Sequence, residues 1–151
     1  MKKHLLLVTI AFGLLLASCT KYVDVQPVDS VVGSWQLLYV DRQDNFGTTT
    51  FYTGYEPGVF HFYSNGQAVY DDGYEVMRGT WSTRQLNNGY YDNHGNYHGG
   101  AYQVFDLYLS NYSGTRVIDW QFDESWFSNS SRFNAMYYGS NSDYKYVFGR
   151  R

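Results

Sequence analysis

The chain has 151 residues, enough for one domain with a sizeable core. Its 17 Tyr and 10 Phe favour strands over long helices, and a net charge of −3 argues against nucleic acid as a partner. Cys19 is the only cysteine, which excludes an internal disulfide.

The chain opens on a processing signal. Lys2 and Lys3 form a positive region, residues 5–16 an apolar one, and Leu16-Ala17-Ser18-Cys19 follows at once. The apolar run is shorter than the roughly 20 residues that a membrane-spanning helix needs. Leu-Ala-Ser-Cys resembles the lipobox of bacterial lipoproteins. That resemblance implies a signal peptide over residues 1–18 and a diacylglycerol on Cys19, with Thr20 in the place where Asp would hold the protein at the inner membrane. Outer-membrane delivery, facing the periplasm or the cell surface, is the expected address. Each buried acyl methylene contributes about 0.8 kcal/mol, so several chains anchor a domain without a spanning segment. Removing residues 1–18 takes Lys2 and Lys3 but no acid, leaving 9 basic against 14 acidic residues and a net charge of −5. Residues 19–30, with Pro27, form a lipidated tether, and the domain occupies 31–151.

Residues 33–40 alternate, and the face carrying Trp35, Leu37 and Tyr39 is expected to be buried. Residues 41–47 are polar and turn-rich, while 48–53 read as a short edge strand or a lid over one barrel end. Residues 60–81 carry two successive hairpins. Asn65-Gly66 predicts a type I′ turn in the first, and Asp71-Asp72-Gly73 turns the second. Residues 87–100 are rich in Gly and Asn, hold no aliphatic residue, and read as an exposed, mobile loop. Two alternating runs, 101–110 and 115–123, flank a turn at 111–114, and 132–138 with 144–148 make the last pair.

Eight strands with a possible ninth, all joined by hairpin-like connections, predict an all-β fold. Sequential hairpins remove free edges only if the sheet closes, which favours a small antiparallel up-and-down β-barrel over a sandwich. At eight strands the interior either fills with side chains or holds one small ligand.

Gly33-Ser34-Trp35 resembles the Gly-x-Trp opening of the lipocalins. Joined to Phe62-Tyr63-Ser64-Asn65-Gly66, to Gly79-Thr80-Trp81 and to the lipobox, it makes residues 31–151 similar to the bacterial lipocalin-like lipoproteins. The resemblance implies a calycin-type barrel on a membrane anchor in the cell envelope, binding a small hydrophobic or amphipathic molecule. Gly33 and Trp35 carry over as structural positions. The disulfide of secreted lipocalins has no counterpart here, and no binding residue transfers.

Inward rings expected to contact a lumenal ligand are Trp35, Phe62, Trp81, Phe105 and Trp120. The competing reading is an interaction lipoprotein whose Tyr-rich surface and 87–100 loop engage envelope glycan or a protein partner. His94 and His98 near Asp92 offer metal-ligating atoms, but no helix fixes their spacing, so solvated histidines are the better reading. Asp71, Asp72 and Glu75 suit a polar turn better than calcium, and His61 an exterior strand position. Asp106 and Asp119 fall mid-strand and are expected at solvent rather than in a polar lumen. No nucleophile with a base and an orienting group is recognisable, so no catalytic residue, metal or cofactor is assigned and the chain is read as non-enzymatic.

Overall fold

The computed structural model describes residues 31–151 apart from Asn93. The expected signal peptide, Cys19 and the expected tether lie outside the described residues. Eleven strands follow in chain order: β1 (Gly33–Asp44), β2 (Gly47–Phe51), β3 (Val59–Phe62), β4 (Gln67–Asp71), β5 (Val76–Leu86), β6 (Tyr90–Tyr91), β7 (Tyr97–His98), β8 (Tyr102–Ser110), β9 (Val117–Asn129), β10 (Arg132–Tyr138) and β11 (Asp143–Arg150). The fold is all-β, and no helix among the described residues is long and apolar enough to cross a membrane.

Eight strands close into an antiparallel barrel in the order β1, β3, β4, β5, β8, β9, β10, β11. The ring shuts where β11 returns to β1, from Trp35↔Arg150 to Gln43↔Asp143. Strand β2 is the ninth, hairpinned onto the far half of β1 beyond its pairing with β3. Closure gives β1 and β11 the backbone partners that an open sheet would lack. The turns after β1, β4, β8 and β10 share one end of the barrel, because these four strands run the same way. Val31 lies at the other end, against Trp35.

Strand β1 departs from its sequence pattern. A bulge between Leu37 and Tyr39 shifts the alternation, so Trp35 and Leu37 face inward before it and Val40 after it. Tyr39, expected on the buried face, is only partly buried. One extra residue reverses the faces of all that follow.

The turn at Asn65-Gly66 also differs from the expected type I′. Only Gly66 has positive φ, at 81°, and its N–H donates to the Tyr63 carbonyl at 3.0 Å. Ser64 and Asn65 therefore keep right-handed backbone and Gly66 alone supplies the left-handed step, a three-residue hairpin loop with a bulge. The Asn65 side-chain oxygen accepts from the Gln67 N–H at 3.0 Å. Gly95 likewise has positive φ, at 81°, and its N–H donates to the Asp92 carbonyl at 3.0 Å.

At the Val31 end, the Trp35 indole N–H donates to the Val31 carbonyl at 2.8 Å and the Arg150 guanidinium lies 4.5 Å above the ring. Phe127 and Phe133 pack beside it. Along the middle, Phe105 meets Phe62 and Phe133 at 5.5 and 5.2 Å, and Phe148 meets Phe60 and Phe133 at 5.8 and 5.6 Å. Each fully buried ring contributes about 1.5–3 kcal/mol, and together they make the core.

Candidate functional site: an aromatic mouth

Four of the five rings expected to line a lumen belong to that core. Trp35 and Phe105 are fully buried, Phe62 is 1% exposed and Trp81 6%. Trp81 packs on Phe62 at 5.6 Å, and its indole N–H is engaged by the Tyr63 carbonyl at 2.9 Å. These side chains fill the space that a deep ligand would need. Trp120 is different: it is only partly buried and reaches an opening.

The opening exists because β9 outruns β10. Strand β10 pairs with β9 only between Asn129 and Glu124, whereas β8 follows β9 up to Val117. Residues 117–123 thus have a strand neighbour on one side only. A pocket of about 360 Å³ lies in the gap, lined by Trp120, Phe122, Tyr137 and Tyr146, with Asp119 and Gln121 at its margin. Tyr146 holds this wall together, 5.0 Å from Trp120 and 4.9 Å from Phe122. Burial raises the pKa of its hydroxyl, so the group stays protonated and able to donate at neutral pH.

The β2–β3 connection reaches over the same end. Glu56 closes it locally, accepting from the Thr53 and Gly54 N–H groups at 2.6 and 2.8 Å. Tyr55 then stands edge-on to Tyr70 at 5.4 Å and to Trp120 at 5.6 Å. Above it sits Arg116, 4.8 Å from the ring centre. Arg116 also pairs with Glu75 at 2.9 Å, and Glu75 accepts from Asn111 at 2.7 Å. The β2–β3 connection, the β4–β5 turn and the β8–β9 turn are therefore tied through one guanidinium. Hydrogen bonds from Asn111 and Arg116 hold the Glu75 carboxyl below its usual range. Burial, with the nearby Asp72 charge second, pushes the Tyr70 hydroxyl up to about 12.

Residues 87–100 are a folded arm rather than the loose loop expected. Strands β6 and β7 pair, and the Asp92 carboxylate accepts from the N–H groups of His94 and Asn96 at 2.9 and 2.8 Å. His98 Nε2 lies 2.9 Å from the same carboxylate. Tyr90 stacks on His98 at 4.8 Å and packs on Tyr102 at 4.5 Å, docking the arm on the outer wall. Glu124 accepts from the Tyr138 hydroxyl at 3.1 Å beneath it. Burial raises the pKa of both Tyr90 and Tyr138, the latter to about 12. A prediction from composition missed this because the arm is stabilised by rings and one carboxylate, not by aliphatic residues.

The remaining polar candidates have local roles. Asp71 and Asp72 accept turn N–H groups from Gly73 and Tyr74. His61 Nδ1 lies 2.9 Å from Ser34 Oγ. No group of three or more His, Cys, Asp or Glu among the described residues is arranged to hold a metal. Asp106 and Asp119 stand on the outer wall with Tyr108 and Gln121, away from the filled interior. Sequence reasoning did not single out Phe122, Tyr137, Tyr146, Tyr55 or Arg116, because only strand order and the offset of β9 from β10 bring them together. Comparison of the chain with protein-family models, with curated proteins and with solved structures returns no match.

Proposed function

We propose that this protein is a lipocalin-like lipoprotein of the outer membrane that binds a small amphipathic molecule at the mouth of its barrel. The pocket of about 360 Å³ between β9 and β10 carries this reading. Its volume falls in the range of small-molecule sites, roughly 300–1,000 Å³. Four aromatic rings supply an apolar floor, while the tyrosine hydroxyls and the Asp119 and Gln121 margin offer polar contacts to a head group. The site suits a single ring system or a short chain rather than a long lipid, since the core below is occupied by Phe62, Phe105 and their neighbours. Nothing in this reading calls for catalysis, a metal or a cofactor. The membrane is engaged through lipidated Cys19, and Gly33 and Trp35 serve the barrel rather than the ligand.

Two measurements test it. Mass spectrometry of the full chain, with Cys19→Ala as control, should find acyl chains on Cys19 and a membrane-bound protein that the variant releases. Native mass spectrometry of envelope-extracted protein should show one additional small molecule, lost when Tyr137→Ala and Tyr146→Ala remove the pocket wall. A bound molecule retained by that double variant would contradict the site, and an unmodified Cys19 would contradict the anchor.

A further inference from the structure

The outer wall carries a second concavity, which adjoins the mouth and shares Asp119, Trp120 and Gln121 with it. Strands β5, β8 and β9 form a groove of about 440 Å³. Register places Tyr108 opposite Asp119, and Ser82, Asp106 and Gln121 in the adjoining row. Arg84 lines the same groove but faces Val104 rather than a carboxylate.

These groups are poorly used by the protein itself. Asp106 receives one long hydrogen bond, from Ser82 at 3.4 Å, and Asp119 one from Gln121 at 3.4 Å. Arg84 forms no ion pair among the described residues. The Tyr108 ring is 49% exposed. The groove therefore presents strong acceptors, strong donors and a ring face side by side.

We propose that this groove binds a neutral oligosaccharide. A sugar hydroxyl donates to Asp106 or Asp119 and accepts from Arg84 or Gln121, and the C–H face of the ring stacks on Tyr108. Neither a metal cation nor a polyanion matches this set. A cation leaves Arg84 unanswered and an anion is repelled by two carboxylates, whereas a polyhydroxyl ligand satisfies both signs of partner.

The test is calorimetric titration of the full chain, in a detergent without a sugar head group. The probes are neutral hexasaccharides of glucose, mannose, galactose and N-acetylglucosamine, with a uronic-acid oligosaccharide for contrast. At least one neutral probe should bind saturably. Tyr108→Ala and the pair Asp106→Ala with Asp119→Ala should each weaken it about tenfold or more, the effect of losing roughly 1.4 kcal/mol. Tyr108→Phe should retain most of the affinity, since it keeps the ring. Tyr112→Ala, on a turn outside the groove, should change nothing. Thermal melting of each variant separates loss of the site from loss of the fold. Binding of the uronate alone, no binding of any neutral probe, or affinity unchanged in folded Tyr108→Ala would overturn the proposal.

Discussion

Tyr70 reaches its place under Tyr55 only because residue 58 has no side chain. A methyl at Gly58 would collide with the Tyr70 ring, which is fully buried and cannot withdraw into the packed core. Gly58→Ala should therefore destabilise the protein by about 1–3 kcal/mol, measured by denaturant unfolding. Phe105→Ala should cost more, about 3–5 kcal/mol, since it removes contacts to Phe62, Trp81, Phe122 and Phe133 together. An exposed ring such as Tyr112 should cost little by the same assay. These positions divided differently in the sequence. Alternation marked Trp35, Phe62 and Phe105 as inward, but it could not say whether inward rings meet a guest or each other. That depends on how far the rings of facing strands cross the barrel.

The strands themselves were legible where alternation was clean, as in β8, and where a glycine turn followed, as between β3 and β4. They were less so where a local irregularity or a distant partner decides. The bulge in β1 moved Val40 inward, and residues 41–44, which read as polar turn, continue β1 and pair with β2, in the stretch 48–53 that read as a short edge strand or a lid. The β6–β7 arm depends on Asp92, whose pKa lies below the ordinary value of 3.8 because it is hydrogen-bonded to His98 and Asn96. A depressed carboxyl pKa contributes stability that is complete above the unfolded value and is lost as pH falls through the folded one. Acidification below about pH 4 should thus loosen the arm before the barrel. Amide exchange at residues 90–98 against pH would reveal this, and Asp92→Ala should show fast exchange there already at neutral pH. Arg116→Ala should raise exchange at residues 53–56 while leaving β8 and β9 protected, because the guanidinium ties three connections and no strand. Uniform exchange across the barrel in that variant would show that Arg116 supports the whole fold instead.

At the scale of the molecule, a closed barrel whose middle is packed with rings leaves room for a ligand only where one strand outruns its neighbour. Strand β9 rises past β10, and the pocket opens there. The prediction is a small, edge-bound ligand and not an enclosed lipid. Fluorescence titration with anilinonaphthalene sulfonate, an amphipathic aromatic probe, tests this most directly when the native protein is compared with Tyr137→Ala. The account predicts one saturable site in the folded native protein, with affinity lowered about tenfold in the variant, which removes a ring that is partly exposed. No saturable binding, or binding of equal strength in both proteins, would contradict a ligand site at the mouth.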